Sequence, residues 1–252
     1  MIVEFISDQI EVSGLEGAIV AVSGGIDSAV TLALTVKAIG PERVRALTMP
    51  ERDITPQGDV DDVMRLAEML DVTCDVIEIT PVIHVMRSTL PFYDPSDLIS
   101  SGNVKTRVRM IIAYHYANSL RSMVLGSANK TEWLMGYFTK YGDGGVDLMP
   151  IADLYKTQVR QLARHLRIPR RIIEKTPTAG LWPGQSDEDE LGIKYEALDP
   201  ILYAWERGMD VQDIARAVGI DPSTVGRVLE RARNNEHKRR LPLLLRLSSL
   251  RK

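Results

Sequence analysis

Apolar residues between positions 2 and 12 recur every three or four places, a spacing that predicts an amphipathic helix, and Gly14 and Gly17 lead from it into an unbroken apolar run at 18–22. Such a run reads as a strand buried on both faces. It ends in Ser23-Gly24-Gly25, after which helical periodicity resumes and continues to Ile39. The alternation then repeats: 43–48 (RVRALT) predicts a strand, 59–70 a helix with Val60, Val63, Leu66, Ala67 and Leu70 along one face, and 72–79 a third strand. Residues 103–120 form the longest predicted helix, followed by a fourth strand at 122–125 that stops at Gly126. Strands separated by helices point to an α/β fold, a doubly wound, mostly parallel sheet with helices on both faces. From Lys194 onward the chain reads as a helical C-terminal extension. Ligands of such sheets bind beyond the carboxyl ends of the strands, where Ser23, Thr48 and Ser127 fall.

Three stretches break the rhythm. Residues 92–102 are polar and contain proline, 139–145 (TKYGDGG) is too glycine-rich for a regular element, and 176–192 (TPTAGLWPGQSDEDELG) is longer than compact domains leave without structure. Loops of that last kind commonly act as lids, so the expected organisation is a single domain over 1–252: a nucleotide-binding core at 1–175, a lid at 176–192 and the helical extension at 193–252.

With 252 residues, 44% hydrophobic and 26% charged, the chain can bury a sizeable core. Its one cysteine, Cys74, excludes an internal disulfide and fits a reducing compartment, which gives a cytoplasmic expectation. No signal-peptide pattern opens the sequence and no run of 18 apolar residues occurs, so no membrane partner is expected. A net charge of −3 argues against a wholly electrostatic nucleic-acid binder.

The candidate chemistry starts at residues 21–28, AVSGGIDS. A strand, a tight glycine turn and a helix N-terminus leave unpaired N–H groups converging on one spot, with the positive end of the helix dipole behind them, and such a spot binds phosphate. Ser23 and Ser28 add hydroxyls, while Gly24 and Gly25 let the backbone approach a ligand. The lysine of the GxxxxGK[ST] loop is missing. In its place stands Asp27, repulsive to a polyphosphate unless a divalent cation lies between them, so the sequence implies Mg2+. At residue frequencies of roughly 7% or less, SGGxDS arises by chance on the order of once in a few thousand chains of this length.

This pattern resembles the SGGxDS loop of the ATP pyrophosphatase superfamily, whose members cleave ATP between the α and β phosphates and activate a carboxyl or carbonyl oxygen as its adenylate. The resemblance then narrows. GSANKTEWLMGYFTKYGDGGVDLMPIADLYKTQVRQLA at 126–163 looks like the central signature of ammonia-dependent NAD synthetase, with GNVKTRVRM at 102–110, PTAGLWPGQSDEDELG at 177–192 and EHKR at 236–239 matching in order and spacing. It implies an adenine nucleotide alpha hydrolase-like fold and amidation of deamido-NAD by ammonia, with ATP as co-substrate. It further implies that Ala21, Val22, Ser23, Gly24, Gly25, Ile26, Asp27 and Ser28 hold the triphosphate together with Ser127, Lys156 and Thr178, and that Asp27 and Glu132 bind the metal. Arg107, Lys140, Asp147, His237 and Lys238 would contact deamido-NAD, Asp143 would stand beside the entering ammonia, and Lys156 would stabilise charge at the reacting phosphate. Ser127 departs from the family's usual Thr but keeps the hydroxyl. A homodimer is implied too, with the dinucleotide against the long helix from Asn103.

Taken singly, each residue has a plainer account. Glu132 near a helix start favours the macrodipole, Asp143 and Asp147 beside glycines form turns, and Arg107, Lys140, Lys156 and His237 suit a solvated surface. Only their joint pattern raises them above that. Two alternatives stay open: another ATP pyrophosphatase ligase, GMP synthetase-like or tRNA-modifying, and a nucleic-acid-binding helix-turn-helix at 210–233. The second has Gly219 near the turn, Asp221 or Ser223 as N-cap, and basic residues Arg227, Arg231, Arg233, Lys238, Arg239, Arg240, Arg246, Arg251 and Lys252.

Overall fold

The computed structural model describes residues 1–245; Arg246, Arg251 and Lys252 of the basic tail lie outside the described residues. The chain runs α1 (Ile2–Ser13), β1 (Gly17–Ala21), α2 (Ile26–Ile39), β2 (Val44–Thr48), α3 (Gln57–Met69), β3 (Thr73–Val76), α4 (Thr80–Thr89), α5 (Leu98–Ser119), β4 (Ser122–Leu125). It continues with α6 (Lys130–Met135), α7 (Lys156–His165), α8 (Arg170–Ile173), α9 (Asp187–Leu191), α10 (Tyr195–Glu206), α11 (Val211–Val218) and α12 (Pro222–Asn234).

The four strands are parallel in the order β3-β2-β1-β4. Because side chains alternate along a strand, β1 feeds two cores. Ala18 and Val20 pack with Ile6 and Ile10 of α1, Leu32 of α2 and Val159 of α7, while Ile19 joins Leu47 and Val124 in packing against Ile79, Ile83 and Val108 on the opposite face. Helices therefore cover both faces, as the apolar run at 18–22 requires. A third apolar cluster ties Met135 and Tyr155 to Leu198 and Leu202 of α10, Ile214 of α11 and Val228 and Leu229 of α12.

β1 has β2 on one side and β4 on the other, so the chain reverses its winding direction at β1. The crevice beyond its carboxyl end is where doubly wound sheets bind ligands. The loops after β1 and β4 both open there.

Several boundaries move. The long helix starts at Leu98, inside the stretch expected as loop, because Asp97 caps it by accepting a hydrogen bond from the Ser100 N–H at 2.9 Å. The third strand stops at Val76, and the helix α4 follows, with Pro81 in its first turn. The stretch 176–192 contains the short helix α9. The cap at Asp221 is as expected: its carboxylate accepts from the N–H groups of Ser223 and Thr224, and Gly219 ends the preceding helix in the left-handed conformation.

Candidate active site

The turn after β1 is closed by its own serines. Ser28 Oγ accepts from Ser23 N at 3.2 Å and donates to the Gly25 carbonyl at 3.0 Å. Gly24 has φ +80°, and a Cβ there would meet the Asp59 carbonyl oxygen at 3.0 Å, so only glycine turns the chain this tightly against α3. Gly25, at the N-cap of α2, offers no side chain to the first-turn N–H groups, and these stay available to an anion. Asp27 lies in that same turn.

Two elements converge on Asp27. Asn129 caps α6 in a capping box: its Oδ1 accepts from Glu132 N at 3.0 Å, and Glu132 Oε2 accepts from Asn129 N at 3.3 Å. The free Asn129 amide donates to Asp27 Oδ1 at 3.0 Å. From α7, Lys156 Nζ reaches Asp27 Oδ2 at 2.5 Å and Glu132 Oε1 at 3.2 Å. Lys156 is 2% exposed and stands behind the two carboxylates rather than on the cleft wall.

Burial in company with Asp27 raises the Glu132 carboxyl well above the ordinary carboxylate range despite Lys156 opposite. Lys156 is buried too, but Asp27 and Glu132 outweigh that and raise it, so it stays an ammonium. Lys156 takes one oxygen of each carboxylate and Asn129 bonds the other, each oxygen keeping a further lone pair, and both side chains line the cleft. Those oxygens are hard ligands and suit Mg2+, which takes one or two carboxylates and completes its shell from phosphate and water. Among the described residues no third His, Cys, Asp or Glu joins them in a metal-holding group.

A second layer fixes Lys156. Thr131 Oγ1 accepts from Lys156 N at 3.0 Å and donates to Asp199 Oδ1 at 2.6 Å, while Asp199 Oδ2 accepts from Thr157 N at 2.8 Å. Asp199 thereby caps α7 from α10, and its burial raises its carboxyl. Asp187, 4% exposed at the start of α9, lines the cleft, accepts from Tyr195 OH at 3.1 Å and has a second oxygen, Oδ1, with no protein partner. Its carboxyl is raised by burial, against the pull of Lys156. Sequence reasoning missed Asn129, Thr131, Asp187 and Asp199. The N-x-x-E spacing of Asn129 and Glu132 is a legible capping signal, whereas the pairing of Thr131 with Asp199 spans 68 positions and has none.

The cleft encloses about 460 Å³ and is lined by Ala21, Val22, Ser23, Gly25, Asp27, Ser28, Ser127, Glu132, Asp143 and Lys238 from the expected set. Asp143 lines this cleft with its side chain exposed to it, among the protein atoms that surround the cleft. That placement raises its carboxyl above the ordinary range, although it accepts from Thr139 N at 2.8 Å and faces Lys238. Lys238 Nζ donates to the carbonyls of Gly136 at 2.7 Å and Phe138 at 2.9 Å. Other expected residues stand off the cleft wall. Thr178 is exposed and accepts from Gly180 N at 3.1 Å. Asp147 is taken up by Val124 N at 2.7 Å and Tyr114 OH at 2.9 Å, Lys140 Nζ donates to the His237 carbonyl at 3.0 Å, and Arg107 donates to the Lys140 carbonyl at 3.2 Å.

The basic C-terminal residues are largely occupied by the chain itself. Arg239 donates to the carbonyls of Leu134 at 2.6 Å and Ala232 at 3.0 Å, Arg231 to that of Glu190 at 2.7 Å, and the Asn235 amide to that of Met135 at 3.0 Å. Helices α11 and α12 bury Ile214, Ala215, Val225 and Val228 against their own neighbours, a packing unit rather than a free recognition helix.

With this geometry in place, the family model for NAD synthase matches residues 1–242. The chain belongs to the NAD synthase family. It is 44% identical over 251 residues to the NH(3)-dependent NAD(+) synthetase of Methanococcoides burtonii, covering 100% of this chain and 95% of that one. Among solved structures it resembles NMN synthetase from Francisella tularensis, with TM-score 0.85 and 35% identity over 97% of this chain and 95% of the other. It also resembles the NH3-dependent NAD synthetase of Campylobacter jejuni, with TM-score 0.80 and 29% identity over 97% and 96%. The NAD synthase fold thus accounts for the parallel α/β core. An activity built on ATP and ammonia suits the anion-binding turn beside two carboxylates.

Proposed function

We propose that this chain is an ammonia-dependent NAD synthetase: it transfers AMP from ATP to the nicotinate carboxylate of deamido-NAD, releases pyrophosphate, and lets ammonia displace AMP to give the amide. The observation that carries this reading is the convergence of Asp27, Glu132 and Lys156 beside an uncapped helix N-terminus at the switch point of the sheet. A carboxylate resists attack because it is anionic and its oxygen leaves badly; adenylation cures both faults. The α2 amides bind phosphate oxygens, and the Ser23 and Ser28 hydroxyls extend that set. Asp27 and Glu132 would hold Mg2+, which supplies charge neutralisation for the phosphates and the departing pyrophosphate. Lys156 keeps the two carboxylates together and adds positive charge behind them.

Asp143, with its raised carboxyl facing the cleft, takes a proton from the attacking ammonia. The 176–192 lid excludes water, which would otherwise hydrolyse the adenylate. Lys238 lines the same cleft and is the one member of the expected deamido-NAD set that does so; Arg107, Lys140, Asp147 and His237 would reach the dinucleotide only from the rim. Apolar residues left exposed on α4 and α5, Val85 at 62%, Ile99 at 71% and Ile111 at 63%, with Phe92 at 98% between the helices, support a homodimer paired through this face. Ile99 also lines the cleft, so a partner there would close over the dinucleotide. The single Cys74, partly buried, suits the cytoplasm.

The similarity to NMN synthetase favours one second reading, the same amidation performed on the mononucleotide. Purified protein with ATP, magnesium and ammonia is offered deamido-NAD, nicotinate mononucleotide, xanthosine monophosphate or tRNA, and AMP and pyrophosphate are measured. Preference for deamido-NAD is expected. Turnover of the mononucleotide alone replaces the first reading by the second, and turnover of xanthosine monophosphate or tRNA alone overturns both.

A further inference from the structure

Lys105 lies on the inner side of α5 and is 4% exposed. Its ammonium is 2.7 Å from Glu51 Oε2 and donates to the Leu181 carbonyl at 2.7 Å. Glu51, also 4% exposed, follows β2 by three residues, immediately after Met49 and Pro50 of the cleft wall. Its N–H donates to Thr55 Oγ1 at 3.0 Å, which fixes the turn, and its other oxygen is 3.7 Å from Arg87. Leu181 and Trp182, at the tip of the 176–192 loop, line the cleft as well. One turn before Lys105, Gly102 gives them room: a Cβ there would be 3.0 Å from Leu181 Cδ1 and 3.3 Å from Trp182 Cζ3.

We propose that Lys105 is a positioning residue, a latch carried on Glu51 that holds the 176–192 loop closed over the cleft. A buried ammonium has three N–H donors and needs acceptors for them, and one carboxylate leaves at least one donor over. The Leu181 carbonyl takes that donor only while the loop is closed. Opening strands it, so the penalty for an unpaired buried donor falls on the open state. No other side chain of α5 donates to this loop among the described residues. Through Glu51 the latch stands on the same turn that presents Met49 and Pro50 to the ligand, so floor and cover are held in register. The inference rests on the adenylating function proposed above, where a loosened cover lets water reach the adenylate and release AMP with no amide formed.

The test uses the full chain with K105M, which keeps length and removes the donors, and the double variant E51Q/K105M, which avoids an unpaired buried carboxylate. Two quantities are read: protease cleavage within 176–192 without substrates, and moles of AMP per mole of amide at limiting ammonia. Cleavage about tenfold faster and an AMP-to-amide ratio at least doubled are expected in either variant that melts as wild type does, with K105R returning both toward wild type. Wild-type cleavage and wild-type stoichiometry in a folded variant overturn the latch. Should wild type release no AMP with any acceptor, the function proposed above fails, while the cleavage comparison still decides the latch.

Discussion

Asp27 is held by an amide on one oxygen and an ammonium on the other, so its charge rather than its shape is what the site uses. D27N is expected to keep the fold, losing about 1–3 kcal/mol for the missing charge-assisted bond. Pyrophosphate release should fall at least about 10²-fold. Turnover within a few-fold of wild type in a pyrophosphate assay would refute the metal assignment. Asp143 is tested by pH. Its carboxyl is raised in the folded protein and serves as base only when ionised. Activity, plotted against unprotonated ammonia so that the nucleophile's own titration drops out, should therefore decline on acidification at a pH above the ordinary aspartate value of about 3.9. D143N should lose that limb and spare adenylation relative to amide formation. At this scale the sequence was informative where residues are adjacent: SGGIDS set the turn and the carboxylate together. It was silent on Asp187, whose free oxygen becomes meaningful only when Tyr195 and α9 are folded around it.

The helix starts carry the site. Asn129 opens α6, Lys156 opens α7 and Asp27 lies in the first turn of α2, so side chains from three helix N-termini meet in one hydrogen-bonded cluster. Their relative placement depends on Thr131, which links α6 to α7 and, through Asp199, to α10. T131V preserves shape but leaves a buried Asp199 oxygen and the Lys156 N–H without partners. It should cost about 1–3 kcal/mol in chemical denaturation and depress activity further than that loss accounts for, because Lys156 drifts; T131S should restore both. The periodic helices and apolar strands were legible because their patterns are local. Hydrophobic spacing alone starts α5 five residues late, at Asn103 rather than Leu98, because Asp97 caps by a side-chain bond that spacing does not record. The third strand ends earlier than its pattern suggests for a related reason: 77–79 (IEI) keeps a strand's apolar-polar alternation, yet Ile79 packs from the segment leading into α4 rather than from the sheet.

For the whole molecule, the two sheet faces are both covered, while α4, α5 and the segment between them expose Val85, Ile99, Ile111 and Phe92. Scattered apolar residues are ordinary on a monomer, but these lie on neighbouring elements, and Ile99 also lines the cleft. I111D combined with V85D should shift sedimentation from dimer to monomer and weaken deamido-NAD binding more than ATP binding; an unchanged sedimentation coefficient removes the proposed face. The alternation of strands and helices gave the layer arrangement in advance. The order in space, with β4 beside β1, lay beyond local pattern because it is set by how α5 packs on the sheet.

Residues 235–239 bind the carbonyls of 133–138, and so the far part of the chain braces the helix whose first turn holds Glu132. A ribosome-bound nascent chain can lay down the sheet early, yet it cannot assemble a working centre until residue 239 has cleared the exit tunnel. Support for the Glu132 helix thus comes from a segment about 100 residues further along the chain.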